Sequence, residues 1–120
     1  AEEESGRFHA VMQNRRFKKG IRDFKNLMGS GKIGSPTFVS ADFYLGPHWG
    51  EGFRESMESP LLLDMAVHTF DQARFLTDAD PVSVYCHEFN PEGSWYEGNA
   101  SAACVFELSD GSVFSYEGSW

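Results

Sequence analysis

The feature that most limits how this chain can fold is Pro60-Leu-Leu-Leu-Asp-Met-Ala-Val-His-Thr-Phe-Asp-Gln-Ala-Arg-Phe-Leu76, apolar on almost every side yet carrying Asp64 and His68. It falls short of the ~20 apolar residues a membrane span needs, so a helix of this composition requires burial in a protein core. Ser59 is a good N-cap and Pro60 suits the first helical position. Asp78 to Asp80 ends the helix. Such a helix needs a second layer to pack on, and the residues after it supply one. Val82 to Phe89, Asn99 to Leu108 and the stretch from Ser112 onward read as strands, with Asp110-Gly111 a hairpin signal between the last two.

The residues before the helix extend the pattern. Phe8 to Phe17 reads as a strand, with Phe8, Ala10 and Met12 on a face that turns polar at Asn14 and Arg16, as strands pointing into clefts often do. Lys18 to Met28 keeps a helical spacing through Ile21, Phe24, Leu27 and Met28, and Gly29 and Gly31 close it. Pro36 to Leu45 alternates as a strand does. The order β-α-β-α-β-β-β predicts an α+β fold: an open, mainly antiparallel sheet with helices on one face. Ala102, Cys104, Phe106 and Leu108 line one side of the late strands, but Ala103 and Val105 make the other side apolar too. A second face of that kind is expected to be covered, most simply by another subunit. Ala1 to Gly6 reads as the end of a longer helix, and the last strand is still running at Trp120, so truncation at the C-terminus is expected.

Composition narrows the function. A chain of 120 residues with 41% hydrophobic and 23% charged residues suits one globular domain. A net charge of −8, with one short basic cluster from Arg15 to Lys19, argues against nucleic acid as a partner. Nothing resembles a membrane span, and the acidic N-terminus is unlike a signal peptide. Cys86 and Cys104 fall inside strands, where cysteine is usually a small buried hydrophobe, and this predicts a reducing, cytoplasmic setting.

Asp64 and His68 lie four residues apart, about one turn along one helix face, and Asp71 or Gln72 continues the stripe. One reading is a structural pair, each residue satisfying the other in the core. The other is a site: imidazole has the pKa of a general base at neutral pH, and a carboxylate can bind a substrate hydroxyl or orient the ring. A metal is disfavoured, because the pair offers two ligands where three or more are needed. The glycine-rich loop from Gly46 to Ser59, with His48, Trp49 and Phe53, is either a mobile excursion or a ligand contact.

Several segments together resemble the glucose–fructose oxidoreductase / inositol dehydrogenase (Gfo/Idh/MocA) family. Leu62-Leu-Asp-Met-Ala-Val-His-Thr-Phe-Asp71 is similar to its LLDMGVHxxD helix, Gln13-Asn-Arg-Arg-Phe17 to its QNxRF strand end, and Ser30-Gly-Lys-Ile-Gly34 to its SGKIG turn. The resemblance implies an upstream Rossmann domain binding NAD or NADP, joined to residues 7–120 through the helix that ends near Gly6. It also implies a homodimer or tetramer formed through the sheet face. It assigns His68 as acid/base and Asp64 as a substrate contact, completed by a lysine from an upstream Glu-Lys-Pro motif. Arg16 is either a substrate-binding residue or a packing residue at the domain seam, and His48 and Trp49 are candidate substrate contacts.

The chain lacks a Gly-x-Gly-x-x-Gly turn that follows a strand, and it lacks Glu-Lys-Pro; Ala66 replaces a frequent glycine of the family. No cofactor is therefore expected on this chain alone, which should be inactive without its partner domain. The function expected of the whole is oxidation of a secondary alcohol of a sugar, inositol or related polyol. The alternatives are a non-catalytic sugar-binding or assembly protein of the same fold, or a free-standing oligomerisation module.

Overall fold

The computed structural model describes residues 2–46 and 52–120. A short helix α1 (Glu2–Ser5) leads to a single 3-10 turn (Asn14–Phe17) and helix α2 (Lys19–Gly29). Strand β1 (Phe38–Tyr44) follows, then a π-helical segment (Leu61–Ala66) that continues directly into α3 (Val67–Thr77). Strands β2 (Pro81–Phe89), β3 (Ser101–Leu108) and β4 (Val113–Ser119) complete the described structure. The sheet order is β1-β4-β3-β2, with β1 parallel to β4 and the other two pairs antiparallel. This is the expected α+β architecture.

The period-2 pattern sets the two faces of the sheet. Val39, Ala41 and Phe43 of β1 pack against the core, while Phe38, Ser40, Asp42 and Tyr44 face outward. On β3 and β4, Ala102, Cys104, Leu108, Phe114 and Tyr116 are buried against the helix. Phe70 of α3 meets the rings of Phe106, Phe114 and Tyr116 edge-on, at centroid distances of 5.0, 6.2 and 5.2 Å. Edge-to-face packing of this kind adds to burial and fixes the helix over the middle of the sheet. The outer face is open, and Phe38, Tyr44, Tyr85 and Val105 are exposed on it.

Four expectations need correction. Residues 7–13 form no strand. Their alternation is real, but no described strand pairs with them, and Phe8 and Val11 are 85% and 88% exposed. The stretch ends instead in the 3-10 turn, which docks on α3. The apolar helix is not buried all round: Leu63 is 63% exposed, because one sheet can cover only one side of it. Ser59 does not cap the helix with its side chain; its hydroxyl faces Glu88 Oε2 at 3.3 Å, and its carbonyl accepts from Leu63 N. The cysteines are not two buried thiols. Cys86 lies directly opposite Cys104 across β2 and β3, with Cα atoms 4.1 Å apart, and the two form a disulfide. Cys86 is exposed, because β2 is an edge strand. Opposed positions bring two sulfurs together through register alone, so the pairing follows from the sheet.

Candidate active site

The site begins with the helix. The π-helical segment presents Asp64, and the first turn of α3 presents His68. π-Helical turns are rare and concentrate at functional sites. Both side chains are half-buried, and each has a separate partner. Asp64 Oδ2 accepts from Arg54 Nε at 2.6 Å. His68 Nδ1 lies 3.0 Å from the side-chain oxygen of Gln13. An amide oxygen only accepts, so this contact is a hydrogen bond in the form with the proton on Nδ1, which leaves Nε2 facing away from Gln13.

Arg54 is held on three sides. Its guanidinium lies 4.8 Å from the Phe53 ring centroid and 5.8 Å from that of Trp120, in addition to its bond to Asp64. Cation–π contact and ion pairing thus fasten the loop end to the helix. Tyr96 stands close to this pair. Burial raises the pKa of its hydroxyl, the Arg54 charge opposes that rise, and the Asp64 charge adds to it.

The 3-10 turn runs along the same helix. Gln13 meets His68, Arg15 donates to Met65 Sδ at 3.7 Å, and Gln72 Nε2 donates to the Arg15 carbonyl at 3.5 Å. Arg16 grips Asp71 through Nε at 2.9 Å and through a second guanidinium nitrogen, making a bidentate pair. Asp71 is only 8% exposed, so Arg16 supplies the charge that lets a carboxylate stay there. Arg16 also lies 5.4 Å over the Phe75 ring.

The structure therefore brings His68, Asp64 and the turn containing Arg16 to one helix, although Arg16 is occupied by Asp71. His48 and Trp49 lie outside the described residues. Sequence reasoning did not single out Gln13 or Arg54 as partners. Gln13 falls within the QNRRF segment, whereas Arg54 carries no local signal. No group of three or more His, Cys, Asp or Glu side chains suited to a metal occurs among the described residues. Among them, too, Gly29 ends helix α2 and Gly31 and Gly34 lead from it to strand β1, whereas a pyrophosphate turn leads from a strand into a helix. These glycines thus do not form a pyrophosphate turn. No described helix is long and apolar enough to cross a membrane.

The family and the fold have known counterparts. Residues 21–120 match the GFO/IDH/MocA C-terminal domain. A protein of Sinorhizobium fredii (strain NBRC 101917 / NGR234), described as uncharacterized protein y4oX, is 33% identical over 119 residues, covering 96% of this chain and 33% of that protein. An oxidoreductase from Agrobacterium radiobacter, solved in complex with NAD+, L-tartaric acid and magnesium, has a TM-score of 0.85 at 23% identity, over 98% of this chain and 34% of that one. The myo-inositol dehydrogenase from Lactobacillus casei, solved with NAD(H) and myo-inositol, has a TM-score of 0.74 at 22% identity, over 92% of this chain and 32% of that one. This chain thus spans about a third of the length of these relatives. The likeness to the solved structures establishes a common fold, and the match over residues 21–120 goes further: the chain belongs to the GFO/IDH/MocA family, as its C-terminal domain.

Proposed function

We propose that this chain is the substrate side of an NAD(P)-dependent oxidoreductase that acts on a secondary alcohol of a sugar, inositol or related polyol. The carrying observation is that Asp64 and His68, four residues apart on one helix, are each held by a different neighbour. In this reading Nε2 takes the hydroxyl proton as the alcohol is oxidised and returns it in the reverse direction. Asp64 accepts a second substrate hydroxyl through the oxygen that Arg54 leaves free. Gln13 keeps the imidazole in the tautomer that can act as base. The nicotinamide, held by a Rossmann domain outside this chain, supplies the hydride chemistry.

The exposed apolar side chains of Phe8, Val11 and Met12 support packing against that further domain. The open outer sheet face supports a homodimer or tetramer. The cytoplasmic location expected from two free thiols loses that support with the Cys86–Cys104 disulfide. The test uses the intact protein with NAD+ or NADP+ and a panel of polyols, read by reduced-cofactor absorbance. His68→Ala should lower turnover by ~10²-fold or more while the folded spectrum is retained. Near-normal turnover in that variant would remove His68 from the reaction.

A further inference from the structure

Each carboxylate on the Leu61–Thr77 helix has its own arginine, and among the described residues one half-buried arginine is left over. Asp64 holds Arg54, and Asp71 holds Arg16. Arg74, on the helix itself, pairs with Asp80. Arg15 remains. Its guanidinium donates to Met65 Sδ at 3.7 Å, a soft contact that neutralises no charge, and no carboxylate pairs with it among the described residues.

Arg15 is not a freely swinging surface arginine. It is half-buried, and Gln72 holds its carbonyl. The residue after it is clamped to Asp71, and Gln13, two residues before it, is bonded to His68. Its charge reaches the interior, where it opposes the burial-driven rise in the pKa of the Tyr116 hydroxyl. Met65 precedes His68 by three residues, so the guanidinium stands about one helical turn from the proposed base.

A half-buried, unmatched guanidinium is costly, and its planar fork suits a carboxylate. In a chain of net charge −8, an anion is repelled from most of the surface and needs a local cation to settle. We propose that Arg15 receives the carboxylate of the substrate, so the substrate class is a polyhydroxy acid of the aldonate type instead of a neutral polyol. A single unmatched cation fits a monoanionic carboxylate better than a phosphate dianion, since Arg16 and Arg54 are already neutralised. This inference rests on the reading of His68 as the base.

The test compares acids and alcohols that share a carbon chain: D-gluconate with D-glucitol, L-threonate with L-threitol, and glycerate with glycerol. Binding to the intact protein with oxidised cofactor is read by calorimetry, and initial rates by reduced-cofactor absorbance. The acid of at least one pair should bind about ten- to a hundred-fold tighter than its alcohol, as a charge-assisted hydrogen bond implies. Arg15→Gln should collapse that ratio toward one, and Arg15→Lys should restore part of it. Three results would overturn the inference while leaving the oxidoreductase reading intact: turnover of alcohols without preference for any acid, an acid preference that survives Arg15→Gln, or an effect of Arg15→Gln on dinucleotide affinity alone. Binding of acids without turnover of any acid or alcohol would instead count against the oxidoreductase reading.

Discussion

Arg54 donates from Nε to Asp64 Oδ2 at 2.6 Å while its guanidinium rests against the rings of Phe53 and Trp120. Asp64 is thereby held in one orientation by a residue ten positions away in sequence. Arg54→Ala is expected to lower the stability of the intact protein by about 1 kcal/mol, since the pair is partly exposed. The larger effect should fall on the site. With Asp64 no longer oriented, KM for a substrate hydroxylated at that position should rise about ten-fold, with a smaller change in kcat. Arg54→Lys should recover charge without the planar stacking and give an intermediate KM. Steady-state kinetics on the three proteins separates orientation of Asp64 from general destabilisation.

The Arg16–Asp71 pair should behave differently, because Asp71 is buried. Arg16→Ala leaves a carboxylate without its partner and should cost about 2–3 kcal/mol, somewhat less than a fully buried pair because Arg16 is one-third exposed. Adding Asp71→Asn should return part of that loss, because the stranded charge is removed. Chemical denaturation of the two single variants and the double variant measures the coupling. Additive losses would mean that the two side chains do not depend on each other.

Gly98 lies where no side chain fits. A Cβ there would come within 2.1 Å of the Met57 carbonyl oxygen and 2.2 Å of the Glu58 carbonyl oxygen. The close approach is enforced by hydrogen bonds from Glu97 N to Glu55 O at 2.9 Å and from Asn99 N to Glu58 O at 2.8 Å. Gly98→Ala should therefore push apart the two segments that flank the start of the site helix, costing about 3 kcal/mol or more. Thermal unfolding of the variant tests this, and Gly52→Ala, which meets nothing within 4 Å, is the control.

Tyr116 is fully buried, and its hydroxyl has no hydrogen-bond partner among the described residues. Burial pushes its pKa up to about 12 from the ordinary 10.0. The folded state thus resists ionisation that the unfolded state permits. Its stability should be unaffected below about pH 10 and fall as the pH rises from there to about 12. Tyr116→Phe removes an unsatisfied polar group and should raise stability near neutral pH by about 1 kcal/mol. The same variant should lose its share of the alkaline decline, which denaturation curves at pH 8 and about 11 would show.

Much of the fold was legible because it rests on local periodicity. The alternation at Val39, Ala41 and Phe43 placed β1, and Asp110-Gly111 placed the final hairpin, where Gly111 adopts a φ of 82°. The 7–13 segment shows the limit of such reading. Its alternation is as clean as that of β1, but a strand also requires a neighbour to bond with, and the pattern cannot supply one. The exposed flank of the helix at Leu63 was hidden for a related reason: composition records how apolar a segment is, and only packing decides how much of it is covered.

The sequence by itself determined that one helix would carry Asp64 and His68 about a turn apart, because that spacing is a property of any helix. It also determined that the helix would pack on a largely antiparallel sheet. The tertiary structure alone decided what each group touches. Gln13 and Arg16 reach His68 and Asp71 across 55 residues of chain, and Arg54 reaches Asp64 from a loop with no regular pattern. These pairings depend on the path of the backbone through space, which no local spacing encodes. They separate a bare imidazole and carboxylate from a candidate site in which each group has its own partner, two carboxylates are matched and, among the described residues, Arg15 has no counter-charge.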